Sequence, residues 1–249
     1  MWLTVRFLVC AAIALATQMP TAFASHTPAT DKSFAALMPS VGSFATDTTH
    51  DGTFGARQVF SGDLSPFTQW TRMESRARVE QANAQTVCDP DTTGLCTPRE
   101  WLQLLDQMQG KSVAEKLEIA NEAMNRRPYV PTQQNWHRAM YWESPFQFLR
   151  VGGQCQDYAI AKYELLREAG LPAEQLQMVV LFDAATGADH AVLVAYVDDQ
   201  ALVLDNLRPK IVSANEVDDY RPYYAINETG WWRYVGGHAM TLAVAYSAR

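Results

Sequence analysis

Gly153-Gln154-Cys155-Gln156-Asp157-Tyr158-Ala159-Ile160-Ala161-Lys162-Tyr163 is the stretch on which the reading of this chain turns. Gly152 and Gly153 precede it, and glycine lets a backbone come close to a bound molecule. The pattern predicts a helix over 154–169, closed by Gly170 with Pro172 just beyond. Cys155 then stands in the first turn, where unpaired N–H groups and the positive end of the helix dipole stabilise a thiolate. The same N–H groups can hold an oxyanion that forms beside the sulfur. A structural buried cysteine is the plainer alternative, so the context has to decide.

Cysteine usage supplies part of that context. Arg6 gives a positive start, 7–16 is an apolar run too short to span a bilayer, and Ala22-Phe23-Ala24 fits a cleavage site. Residues 1–24 are therefore expected to be a signal peptide, and the protein to be exported to the periplasm, an oxidising compartment. Cys10 falls inside that segment. Cys88 and Cys96 bracket a turn-rich loop that a disulfide could close, which leaves Cys155 over. A lone thiol kept under oxidising conditions points to use.

A thiolate nucleophile needs a base, and the chain has five histidines: 26, 50, 137, 190 and 238. Residues 25–57 are rich in Ser, Thr, Ala, Gly and Asp and read as a flexible leader, so His26 and His50 cannot be positioned. His190 opens an aliphatic strand over 191–197, and Asp205 ends the next one over 201–204. If Asp198-Asp199 is a two-residue hairpin turn, Val197 opposes Gln200 and Asp205 opposes Val192. His190 and Asp205 then share a face, diagonally placed at roughly 7–8 Å, within reach of their side chains. The acid would orient the imidazole.

The remaining elements frame this group. A helix is expected over 66–84 with Phe67, Trp70, Met73, Ala77 and Val79 on one side. Capping boxes at Thr97-Pro98-Arg99-Glu100 and Ser112-Val113-Ala114-Glu115 open two more, and Ser144-Pro145 starts a short one. Strands follow over 176–182, 191–197, 201–204, 220–226, 231–235 and 240–246. Helices first and strands after them argue for α+β, a helical N-terminal half packed on an antiparallel sheet. With 48% hydrophobic and 19% charged residues the 249-residue chain is an ordinary globular one. Its net charge of −7 and lack of a basic block exclude a broad grip on nucleic acid.

Cysteine at a helix start, histidine on a strand and acid on the adjacent strand is the papain/transglutaminase-like order of parts. The segment around Cys155 resembles the Gly-Asp-Cys-Glu-Asp-Tyr-Ala-Ile-x-Lys signature of the bacterial transglutaminase-like cysteine proteinases of the LapG type. Trp70-Thr71-Arg72-Met73, the Asn121, Asn125 and Tyr129 run, Tyr141-Trp142, Gly170-Leu171-Pro172, Leu204-Asp205-Asn206-Leu207 and Trp231-Trp232 extend the resemblance over 58–249. It implies the triad Cys155, His190, Asp205 in a periplasmic endopeptidase. It further implies cleavage of the N-terminal region of a large surface adhesin, often at paired alanines, and so control of biofilm attachment. An inner-membrane receptor that responds to cyclic di-GMP is the implied partner.

The departures from that family are informative. Its cysteine is flanked by acids that help bind calcium, whereas this chain has Gln154 and Gln156, with only Asp157 retained. Ca²⁺ prefers carboxylates, so a calcium site at Asp157, Gln154 and Gln156 is expected to be weak, and no cofactor is needed for the chemistry. Met140 stands where an acid is usual before the aromatic-Trp pair. Gln154 and Asn135 are the candidate side-chain donors to the oxyanion, beside the Cys155 N–H. Trp142, Trp231 and Trp232 are expected in the core. Acyl transfer to an amine instead of water, or a non-catalytic binding module on the same fold, are the alternatives.

Overall fold

Two strands, then six α-helices, then six strands are what the computed structural model shows, over residues 45–46, 50, 52–84 and 97–240. The helices are α1 (Thr68–Ala82), α2 (Thr97–Met108), α3 (Val113–Asn125), α4 (Thr132–Trp136), α5 (Pro145–Val151) and α6 (Cys155–Glu168). The strands are β1 (Ala45–Thr46), β2 (Arg57–Ser61), β3 (Leu176–Asp183), β4 (Ala188–Val197), β5 (Gln200–Leu204), β6 (Val212–Ser213), β7 (Tyr220–Asn227) and β8 (Gly230–Val235). They form one antiparallel sheet in the order β1-β2-β8-β7-β3-β4-β5-β6. The fold is α+β, papain/transglutaminase-like. No described helix is long and apolar enough to cross a membrane.

Both faces of the central strands are covered, which is why β3 and β4 read as unbroken aliphatic runs. Met178, Val180, Leu193 and Ala195 join the large core beneath the helices. Their neighbours Val179, Leu181, Val192 and Val194 face the other way, under Phe54, Ala214, Val217 and Tyr220. α6 is the central helix: most of its residues, from Cys155 to Leu166, are buried. Trp142, Trp231 and Trp232 belong to the core.

The Ser112–Glu115 capping box opens α3 as expected. At the start of α2, the Glu100 carboxylate pairs with Arg127. Val79 departs from its expected place. Trp70, Met73 and Ala77 are buried on α1, but Val79 is 62% exposed, because nine residues beyond Trp70 lies half a turn away on an α-helix.

The expected leader over 25–57 reaches too far toward the domain. Within it, Ala45–Thr46 pairs with β2, Phe54 is buried, Arg57 begins β2, and the His50 ring stacks on Tyr196 at 3.5 Å. β2 escaped notice because its inward positions are polar: Gln58 is buried and donates to Gln177 Oε1 and to the Tyr234 hydroxyl. Met240 lies outside any strand, and the rest of 240–246 lies outside the described residues. So do 1–24, Cys88 and Cys96.

Candidate active site

The start of α6 is built to a tight tolerance. Gly152 has φ +74°, and a Cβ there would strike the Pro128 carbonyl. A Cβ on Gly153 would stand 2.6 Å from Asp157 Oδ2. Glycine is the residue that fits both places. Asp157 reaches back to accept from the Gln154 N–H at 2.8 Å, which closes the first turn. Cys155 is thereby held at the first helical position with 8% of its surface exposed. It is the one free cysteine among the described residues, and its thiol points to Gln156 Oε1 at 3.7 Å.

The hairpin between β4 and β5 supplies the other two groups. Asp198 and Asp199 both have positive φ, 48° and 60°, as a two-residue turn requires, and Val197 opposes Gln200. That register continues through Leu193 and Leu204 and brings His190 Nε2 to 2.8 Å from Asp205 Oδ1. The Cys155 side chain lies near enough to the same imidazole to raise its proton affinity. With Nε2 turned to Asp205, Nδ1 is the nitrogen left for the sulfur. The structure thus brings Cys155, His190 and Asp205 together, and all three are buried.

The charges are arranged for proton transfer. Burial lowers the pKa of His190, but bonds to Asp205 and Cys155 and their charges outweigh it and push it up to about 10. Burial raises that of Asp205, but the His190 bond and charge, the Tyr220 hydroxyl and the Leu207 N–H bring it down to about 2. The Tyr220 hydroxyl donates to Asp205 Oδ2, and the Leu207 N–H donates to Oδ1 at 2.9 Å. Asn125 Nδ2 donates to the Asp205 carbonyl at 2.8 Å. Sequence reasoning missed these supports. The Asp205–Leu207 contact is the local i to i+2 turn that Asp favours and could have been read. Tyr220 is fifteen residues away and left no local signal.

Of the two side-chain oxyanion candidates, Asn135 is not available. Its Nδ2 donates to Glu143 Oε1 at 3.2 Å and to the Gly152 carbonyl at 3.0 Å, which uses both of its protons. Gln154, one residue before the nucleophile, has its Oε1 taken by Thr132 Oγ1, so its amide NH₂ is the end turned away from that bond.

The side-chain oxygens of Asp157, Gln154 and Gln156 are engaged in hydrogen bonds, while Glu143 Oε2 beside them is buried without a partner among the described residues. Asp157 Oδ1 accepts from the Glu143 N–H at 2.8 Å, and Oδ2 accepts from the Gln154 N–H and from Gln156 Nε2 at 3.0 Å. Gln154 Oε1 is taken by Thr132, and Gln156 Oε1 faces the thiol. Calcium takes six to eight oxygen ligands and prefers carboxylates, and two of the three side chains here are neutral amides. No group of three metal-ligating side chains occurs among the described residues. Burial, and for Asp157 also the neighbouring Glu143 charge, pushes the Asp157 and Glu143 carboxyls upward.

A buried thiol, imidazole and carboxylate in this order, on a helix start and two adjacent strands, defines the class: a cysteine peptidase of transglutaminase-like fold. The chain matches the family model of the bacterial transglutaminase-like cysteine proteinase, BTLCP, over residues 86–238, more than half its length. It belongs to that family. Among solved structures it is similar to Legionella pneumophila LapG at 30% identity, over 63% of this chain and 87% of that one, with a TM-score of 0.51. Calcium-bound Legionella pneumophila LapG aligns at 27% identity, over 71% of this chain and 96% of that one, with a TM-score of 0.51. No curated protein matches the chain.

Proposed function

We propose that this peptidase works through Cys155, His190 and Asp205, in the periplasm, on the N-terminal region of a large surface adhesin, and so controls biofilm attachment. The observation that carries the catalytic part is the 2.8 Å contact of His190 Nε2 with Asp205, with Cys155 near enough to the same ring to act on it. Cys155 attacks the scissile carbonyl, and His190 takes the thiol proton and returns it to the leaving amine. Water then releases the acyl group by the same route. The oxyanion is held by the Cys155 N–H and the Gln154 amide. Asp205 fixes the imidazole and balances its charge.

Support for the adhesin comes from the likeness to LapG-type enzymes, and the periplasmic setting rests on the signal-like segment 1–24. The same likeness supports sequestration by an inner-membrane receptor that responds to cyclic di-GMP. The test is direct. The purified protein is incubated with N-terminal fragments of the largest surface adhesin encoded by the same organism. One discrete cut, at or beside paired alanines, is expected. Intact adhesin fragments alongside hydrolysis of unrelated peptides would refute the substrate and leave the peptidase standing.

The same site bears on metal dependence. With every oxygen of Asp157 already accepting N–H bonds, we expect turnover without calcium. Chelation with EGTA should leave the rate within about twofold of the untreated enzyme. Calorimetry that finds micromolar calcium affinity would contradict this.

A further inference from the structure

Lys162 is the polar side chain in the core that the chemistry above does not use. It lies on α6 seven residues after Cys155, two helical turns on and on the same side of the helix, about 10 Å along the axis. Its exposure is 0%, and its Nζ has no hydrogen-bond partner among the described residues. The ionisable group that acts on it is Asp205. Asp205 is in turn bonded to His190 on β4, to Tyr220 on β7, and lies 3.7 Å from the Arg208 guanidinium. α3, which packs on α6, contributes the uncharged Asn121 and Asn125, and Asn125 also holds the Asp205 carbonyl.

A buried amine without a partner is costly, and a methionine of similar volume would avoid the cost. A fold that buries such a group on the helix that carries the nucleophile, within reach of the Asp205 charge, has placed it where charge matters. We propose that Lys162 is a positioning residue of this site, an amine sealed in the core near Asp205 that competes with His190 for the carboxylate's charge. When the amine is protonated it draws on Asp205 and loosens the hold of that carboxylate on the imidazolium. When it is neutral, that competing pull on Asp205 is gone. Burial brings the amine down to about 7, with Asp205 pulling the other way, so both forms exist around neutrality.

This inference rests on the triad reading, but its test does not need turnover. The imidazole ¹⁵N shifts of His190 are followed against pH in the full-length protein and in Lys162→Met. In the parent the His190 signal should pass through an inflection near pH 7, the titration of Lys162 felt through Asp205. Lys162→Met should lack it, and its kcat/KM profile should lose the same step. The acid limb of that profile should move up by roughly half a unit or more, because a nearby positive charge is gone. Lys162→Met should also melt at or above the temperature of the parent. Superimposable His190 titrations in the two proteins would overturn the proposal, and a lower melting temperature with unchanged titration would make Lys162 a structural residue only. If Lys162→Met fails to fold, Lys162→Gln carries the same titration. An inactive protein that still shows the Lys162-dependent inflection would sink the catalytic reading and keep this one.

Discussion

Cys155→Ala abolishes peptide hydrolysis, with a fall in kcat/KM on the order of 10⁴-fold or more. The side chain is the only group in the site that can form the acyl bond, and no other described cysteine can replace it. The fold should survive. Cys155 keeps 8% exposure, and the polar contact of its sulfur with the Gln156 amide is a long one at 3.7 Å. The helix start is held by Gly152, Gly153 and the Asp157 contact to the Gln154 N–H, none of which uses the sulfur. Stability should therefore change by less than about 1 kcal/mol. Cys155→Ser is the sharper probe. It keeps an atom able to bond with His190, yet a hydroxyl is far harder to ionise than a thiol, so it too should be inactive. Iodoacetamide labelling reads the same group without a substrate: modification of Cys155 should be fast in the folded protein and slow after unfolding. Hydrolysis retained by Cys155→Ala at more than about a tenth of the parent rate would remove the nucleophile from this site.

The residues of the site differ in how openly the sequence displays them. Cys155 was legible because two glycines and a helix start are local signals. His190 and Asp205 were legible as a pair because Asp198-Asp199 admits the positive φ of a tight turn, and a turn of known length fixes parity for every later residue. What failed was whatever depends on partners far along the chain. Gln58 breaks the expected apolar alternation, since Gln177 and Tyr234 satisfy it inside, so β2 gave no strand signal. The Asn135 amide seemed a free donor until α4 and α5 placed Glu143 and the Gly152 carbonyl within its reach. Lys162 shows the same limit from the other side. It stands inside the quoted stretch, but only the packing of α3 and the sheet around α6 makes it a buried amine.

The loss expected from Asp205→Asn is on the order of 10³-fold in kcat, and its cause can be separated from misplacement of the ring. The Leu207 N–H donates to Oδ1, which favours an amide with its carbonyl at that position. That carbonyl can still accept from His190 Nε2, and the Tyr220 hydroxyl can turn to accept from the amide NH₂. Orientation is then kept and charge is lost. Since Asp205 helps push His190 up to about 10, its neutral replacement should bring that value down and shift the alkaline limb of the activity profile the same way. Stability should report the same pair. Asp205 falls from 3.8 to about 2 on folding, so its contribution is full above 3.8 and lost as the pH falls through about 2. His190 rises from 6.5 to about 10, so its contribution is full below 6.5 and lost as the pH rises through about 10. The two overlap fully between 3.8 and 6.5. Urea denaturation of parent and Asp205→Asn should accordingly differ most near pH 5, less as the pH rises through about 10, and least below about pH 2. An unchanged alkaline limb, with kcat within about tenfold of the parent, would show that Asp205 does not steer the imidazole and would break the triad at its third member.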